Sequence, residues 1–323
     1  MQIIFYIFKR ILQAIPLLFL VSLISFFIIR LSPVDPLAEL KLNPSISQET
    51  LQAEKIRMGL DKPLAVQYLL WAKGFLKGDL GVTTTGEKVS VKLMERIPNT
   101  LLLTLIVIFM TWICGIPLGI LAAINWKSTL DRFLTVLTSI GMAIPSFFFA
   151  ILMLIFAVKT SWFPVGGLTS YNFNEMGLLH QTWDIAHHLI LPVTVLFTIS
   201  LAGLQRQMRA NMLDVLDSDY VKFARAKGLS EAQVILKHAL RNAVNPMITL
   251  LGFEFSGLLS GAALTEYVFQ YPGLGRLILE AVMKSDINLV MASLMIGASM
   301  LVIGNLIADI LLILTDPRIR AKA

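Results

Sequence analysis

Apolar residues gather along the chain into six long blocks separated by polar connections, at 11–29, 101–126, 133–158, 189–205, 246–265 and 287–314. A helix that crosses a bilayer needs about 20 mostly apolar residues, because each backbone amide and carbonyl must find its partner without water. The six blocks therefore predict six transmembrane helices in an all-α, polytopic membrane protein. The fourth block is the shortest, and the fifth and sixth carry Glu254 and Asp309. The first follows Lys9 and Arg10 as a signal peptide would, but its apolar run is longer than a signal peptide needs. Arg30-Leu31-Ser32-Pro33 offers no small-residue cleavage site, so the block is expected to stay as an uncleaved anchor.

Between the first and second blocks lie polar residues too numerous for a turn, and they predict a small helical extracytoplasmic insertion at 32–99. One helix is expected near 48–58, stopping at Gly59. A second is expected to start at Pro63, whose fixed φ suits a first turn, and to stop near Gly78. The chain then divides into a tail and first span (1–31), the insertion (32–99), a five-helix core (100–314) containing a cytoplasmic segment (206–245), and a cytoplasmic tail (315–323). It contains no convincing internal repeat and no low-complexity tract.

Composition agrees with this pattern. The chain is 56% hydrophobic with mean hydropathy +0.75, and only 15% of its residues are charged, against about 25% in soluble proteins. The formal charge of +6 and pI near 9.4 do not point to nucleic acid, since Lys and Arg in a membrane protein set orientation and meet anionic lipid. With the N-terminus inside, fourteen basic residues fall in cytoplasmic pieces: two before the first span, two between the second and third, seven at 206–241 and three after the last. The two short outer connections carry Lys159, Arg276 and Lys284, so both termini are expected to face the cytoplasm. Cys114 stands alone in an apolar run, which leaves no disulfide framework and no cysteine metal site.

The most informative polar stretch runs from Asp217 to Ala243. It reads as two short helices. The first has Asp217 and Asp219 at its start and Lys222, Arg225 and Lys227 towards its end, complementing the helix dipole. Gly228 supplies a left-handed cap. Ser230 and Gln233 then have capping-box spacing, with Leu229 and Val234 placed as a hydrophobic staple. In the second helix Ala232, Ile235, Leu236, Ala239, Leu240 and Ala243 are expected on one face, with Lys237, His238, Arg241 and Asn242 elsewhere. The pattern suits a segment packed on the bundle and open to a partner, and it equally suits a basic linker on the inner leaflet.

Here the sequence resembles the permeases of bacterial dipeptide, oligopeptide and nickel ABC importers. Asp219-Tyr220-Val221, Ala224-Arg225-Ala226-Lys227-Gly228-Leu229 and His238-Ala239-Leu240-Arg241-Asn242-Ala243 look like that group's coupling motif. The general importer motif begins Glu-Ala-Ala with Gly four residues after the second Ala; the corresponding residues here are Lys222, Phe223, Ala224 and Gly228, so the Glu is missing. The likeness extends to Arg10-Ile-Leu-Gln-Ala-Ile-Pro16, Asp35-Pro36, Gly59-Leu-Asp-Lys-Pro63, Gly78-Asp-Leu-Gly81, Ile116-Pro-Leu-Gly119, Ile144-Pro-Ser-Phe147, Tyr271-Pro-Gly-Leu-Gly-Arg276 and Asp316-Pro-Arg-Ile-Arg320. The resemblance implies an ABC importer type I permease fold in the bacterial inner membrane. It also implies docking of Asp219, Tyr220, Ala224, Arg225, Ala226, Lys227, Gly228, Leu229, His238 and Arg241 onto an ATPase subunit.

No GxxxxGK[ST] phosphate loop occurs, so the chain itself has no site for ATP and is not expected to be an enzyme. The resemblance places ATP and magnesium on two separate cytoplasmic ATPase subunits. It adds a second, related permease, more often a different chain than a second copy, and an extracytoplasmic binding protein that delivers di- or oligopeptides. Nickel or a metal chelate is the alternative cargo. An ion-coupled secondary transporter, the reading from another class, would call for several intramembrane charges. A membrane enzyme would call for a nucleophile–base pair or metal-ligand cluster, and the sequence suggests neither.

Inside the spans, Glu254 is expensive to bury, and it either lines the translocation path or hydrogen-bonds a neighbouring helix. Gly257 and Gly261 share that path in the first reading; together with Gly252, Ser256 and Ser260 they also give small-xxx-small spacing suited to close helix contact, as do Gly115 and Gly119. His180, His187 and His188 fall before the fourth span, where imidazoles can hold nickel or zinc, but no carboxylate or cysteine set completes a site, and an interfacial turn is expected. Asp309 and Asp316 are expected near water at the cytoplasmic end of the last span.

Overall fold

The computed structural model describes residues 2–31, 37, 41, 46–57 and 59–315. Helix α1 (Gln2–Leu31) is followed by α2 (Gln48–Arg57) and α3 (Leu64–Leu76), then by α4 (Val89–Ile124). Helices α5 (Thr129–Ala143) and α6 (Ser146–Thr160) lead through a 3₁₀ turn to α7 (Leu178–Leu216). A short helix α8 (Asp219–Ala226) precedes α9 (Glu231–Gln233), a π-turn (Val234–Ala239) and α10 (Leu240–Ala243). Helices α11 (Asn245–Val268), α12 (Leu274–Met283) and α13 (Ile287–Thr315) complete the chain. The described residues form no strand; one isolated bridge joins Val82 and Lys88.

Among the described residues four helices, α1, α4, α7 and α13, are long and apolar enough to cross a membrane on their own, and a fifth crossing is made if α5 and α6 count as one span. The fifth expected span coincides with α11, which has 24 residues; the side chains at 253 and 256–261 lie outside the description. The third expected span is corrected: it breaks between α5 and α6 with a bend of 95°. Pro145 has no amide hydrogen and pushes the residue before it out of the helical region, and Ile144 is accordingly extended at φ −89°, ψ 120°. The fourth expected span is part of the longest helix, since α7 continues through Arg206 and Arg209 to Leu216. Residues 206–216, expected as part of the cytoplasmic segment, are therefore an extension of the bundle.

The central pair is α4 and α7. Gly115 and Gly119 let them meet closely: a Cβ added at Gly119 would lie 2.6 Å from Met208 Cβ and 2.9 Å from the Gln205 carbonyl oxygen. The last helix α13 packs on α1 and α11. In the insertion, α2 and α3 form, and Gly59 and Gly78 both have positive φ at the expected stops. Helix α3 lies against α1, with the Tyr68 hydroxyl 2.8 Å from Ser22 Oγ and its ring edge-on to Phe26 at 5.4 Å. The loop after it is held at the start of α13, where Asp286, just before the helix, accepts from the Thr84 amide at 2.8 Å and Asn288 donates to the Val82 carbonyl at 2.9 Å. Helix α4 begins at Val89, so it runs through the boundary expected at 99. Asp35-Pro36 and the tail from Asp316 lie outside the described residues.

Candidate functional site

The segment between α7 and α11 is built as expected up to its middle and differently after it. Ser218 precedes α8, and Asp219 lies in its first turn beside the amide dipoles. The helix ends at Gly228, whose φ of 78° favours glycine. Ser230 and Gln233 form the capping box, with the Gln233 amide donating to Ser230 Oγ at 3.4 Å and the Ser230 amide to Gln233 Oε1 at 3.3 Å. The expected stripe of apolar residues is corrected beyond this point. The wider π-turn brings Val234 and Ala239, five residues apart, onto the buried side with Ala243, while Ala232 and Leu236 face outward.

Two faces result. Val221, Ala224, Val234, Ala239 and Ala243 pack on Met208 and Met212 of α7 and on Met247 of α11. The outward face carries Phe223, 70% exposed, with Tyr220 at 43% and Leu236 at 63%. Among the expected docking residues, Asp219, Tyr220, Arg225, Ala226, Lys227, Gly228, Leu229 and Arg241 are exposed, His238 is half-buried, and Ala224 faces the bundle. Phe223, which the sequence reading did not single out for docking, is the largest outward apolar group on α8; its place opposite Val221 and Ala224 on an eight-residue amphipathic helix is the signal that could have found it.

Polar contacts make the segment one piece. Arg225 bonds Glu231 at 2.9 Å across the glycine break, and Asn242 donates to the Tyr220 hydroxyl at 2.8 Å. Lys222 pairs with Asp217 at 2.9 Å, and that hydrogen bond holds its ammonium pKa above the usual lysine value. Above the segment, Arg209 of α7 grips Asp131 in two hydrogen bonds of 2.6 and 2.8 Å. Asp131 also accepts from the Lys127 amide at 3.0 Å, and its own amide is capped by Ser128. The first turn of α5 is thereby fixed to α7.

Within the bundle, Trp112 Nε1 of α4 donates to Glu254 Oε2 at 2.8 Å, the helix-to-helix bond that was one of the two readings for Glu254. Gly257 and Gly261 lie on the same helix, and their surroundings are outside the description. A fully buried carboxylate, Glu266, was missed. It accepts from Thr100 Oγ1 and from the Arg276 amide, both at 2.9 Å. Thr100 in turn accepts from the Leu274 amide at 2.7 Å. Tyr271 donates to the Asn99 carbonyl at 2.8 Å; burial first and the Glu266 carboxylate second push its phenol pKa upward. The turn at 271–276 thus wraps around one carboxylate, and a Cβ at Gly273 would fall on it.

The histidines are corrected from a turn to the first turns of α7. His187 Nε2 lies 2.9 Å from the Trp162 carbonyl oxygen and His188 Nδ1 2.8 Å from that of Asp184. Asp184 accepts from Ser170 Oγ and its amide at 2.5 and 2.7 Å, so this cluster ties the loop after α6 to α7. Asp309 pairs with Arg10 of α1 at 3.0 Å.

Comparison with known proteins gives a consistent picture. Residues 115–321 match the family described as binding-protein-dependent transport system inner membrane component, and residues 3–86 match its N-terminal membrane component family. The chain is 42% identical over 317 residues to the oligopeptide transport system permease protein AppB of Bacillus subtilis, covering 97% of this chain and 98% of that one. It is 36% identical over 331 residues to the di/tripeptide transport system permease protein DppB of Pseudomonas aeruginosa, covering 97% of each. Against the oligopeptide transport system permease protein OppB of Haemophilus influenzae the identity is 35% over 320 residues, covering 98% and 99%.

Proposed function

The chain belongs to the binding-protein-dependent transport system inner membrane components, and from that membership we propose that it carries di- or oligopeptides across the bacterial inner membrane as one of two permeases driven by separate ATPase subunits. Such a system includes a substrate-binding protein, and a peptide cargo fits the names of the relatives. The second permease is a related but different chain, both termini face the cytoplasm, and ATP with magnesium is held on the ATPase subunits.

The observation that carries this reading is the two-faced segment at 219–243. A motor subunit can move the bundle only through a surface that is open on one side and fixed on the other. Phe223, Tyr220 and Leu236, with the cations Lys222, Arg225 and Lys227 beside them, provide the open side. Val221, Ala224 and Val234 under Met208 and Met212 provide the fixed side, so a shift of α8 is passed to α7 and from there to its tightly packed partner α4. Closure of the ATPase subunits around ATP draws the segment inward, and the bundle opens towards the binding protein. Hydrolysis reverses the change.

Proteoliposomes containing the whole transporter provide the test. A side chain at Gly228 is strained by its positive φ, so Gly228→Val is expected to abolish ATP-driven uptake of a labelled oligopeptide while the chain still inserts. Uptake that continues without ATP would refute the reading. A partner binding protein that takes nickel chelates and ignores peptides would change the cargo and leave the coupling intact.

A further inference from the structure

A cavity of about 250 Å³ opens where the C-terminal end of α1 meets α3 and the first turn of α13. Arg30, in the last turn of α1, borders it with the Nε atom buried and without a hydrogen-bond partner. Its guanidinium lies over the Phe26 ring at 5.5 Å. Gln67 also borders the cavity. Its amide nitrogen donates to the Lys62 carbonyl at 2.7 Å, which leaves Oε1 buried and unmatched. The neighbouring polar groups are differently placed. Asp79 accepts from the Gly81 amide at 3.0 Å, Asn288 is bound to Val82, and Lys62 adds a second, exposed cation. The cavity therefore offers one buried, unmet cationic donor and one buried, unmet neutral acceptor, with Lys62 exposed beside them and the Asp79 carboxylate bound to the Gly81 amide; native interiors rarely leave such buried groups unmet.

Beside it is a second cavity of about 320 Å³ with a different lining. Ile28 and Ile29 of α1 face Val290 and Leu294 of α13 there, and Ile287 borders both cavities. A polar recess thus sits at the end of a spanning helix, next to an apolar recess running along the same two spans. That order is the order of a phospholipid, headgroup at the boundary and chain beneath it. We propose that α1, α3 and α13 bind one anionic phospholipid, its phosphate on Arg30, a headgroup hydroxyl donating to Gln67 Oε1, and an acyl chain between Ile29 and Leu294. A guanidinium fork matches phosphate oxygens well. The acceptor on Gln67 selects a headgroup that has a hydroxyl, as phosphatidylglycerol does and phosphatidylcholine does not.

The test is native mass spectrometry of the assembled transporter released from nanodiscs containing equal phosphatidylglycerol and phosphatidylcholine. The wild type retains phosphatidylglycerol in preference, and Arg30→Gln lowers that retention about fivefold, the equivalent of one cation's attraction to an anionic headgroup. If Arg30→Gln fails to assemble, Lys62→Gln and Gln67→Leu are expected to lower it in the same direction. Leu294→Trp, which fills the apolar recess, lowers it as well and separates a lipid from a free anion. Equal retention of the two lipids by the wild type, or unchanged retention in the polar-site variants, would overturn the proposal. So would phosphatidylglycerol that survives Leu294→Trp but is displaced by inorganic phosphate.

Discussion

Truncating Phe223 to alanine should uncouple the transporter without loosening the chain. The side chain is 70% exposed at the centre of the outward face of α8. A phenylalanine buries on the order of 200 Å² when fully covered, so about 140 Å² remains for a partner to cover. At about 25 cal/mol per Å² the transfer contribution is about 3.5 kcal/mol. Ordering the interface offsets part of it, and a loss of about 2 kcal/mol, or roughly 30-fold in Kd, is expected. Val221, two residues away, makes the contrast. It is fully buried beneath α7, and Val221→Ala removes two buried carbons, about 1.6 kcal/mol before any cavity cost. The assay pairs binding of the ATPase subunits to the solubilised permeases with the thermal midpoint of the permeases alone. Phe223→Ala weakens binding and leaves the midpoint unchanged; Val221→Ala lowers the midpoint. An unchanged ATPase affinity in Phe223→Ala would refute the assignment of this face to the motor.

Asp131→Asn and Arg209→Gln should each cost about 3 kcal/mol, since each leaves one half of a largely buried ion pair without its partner; thermal unfolding in detergent checks this, and the double variant should recover part of the loss. Glu266→Ala should lower thermal stability by about 2 kcal/mol by orphaning Thr100 Oγ1 and the Arg276 amide, with Glu266→Gln losing less because it keeps an acceptor oxygen. In Glu254→Leu the indole of Trp112 loses its acceptor, and a shifted tryptophan emission is expected; if Glu254→Gln and Glu254→Leu both transport peptide at the wild-type rate, Glu254 has no part in the pathway.

Long apolar runs announced most of the spans, because a bilayer leaves the backbone few alternatives, and the caps at Gly228 and Ser230 were legible because they depend on residues a few positions apart. The break at Pro145 was hidden by averaging: Phe133 to Val158 carries no charge and is mostly apolar, and hydropathy is blind to a missing amide hydrogen. The π-turn at Val234–Ala239 has no local signature, so a stripe drawn at 3.6 residues per turn placed Leu236 inside and left Val234 to a staple. Glu266 escaped notice for another reason. Its partner Thr100 comes from a distant segment and its partner Arg276 from beyond the turn, and only the glycine at 273 hinted that something bulky lay against that turn.

Helix α7 contains 39 residues, about 58 Å at 1.5 Å per residue, whereas the hydrocarbon core of a bilayer is about 30 Å thick. Roughly half of it must stand outside the oily layer, and in the proposed mechanism it would serve as a lever whose fulcrum is the membrane. One arm ends beside α8, and the other holds the loop after α6 through Asp184 and Ser170. Tilting a rod of this length by about 10° displaces one tip relative to the other by about 10 Å. In the proposed cycle, a modest swing at α8 would thereby be carried along α7 to the far surface, alongside the shift it passes to α4 through packing.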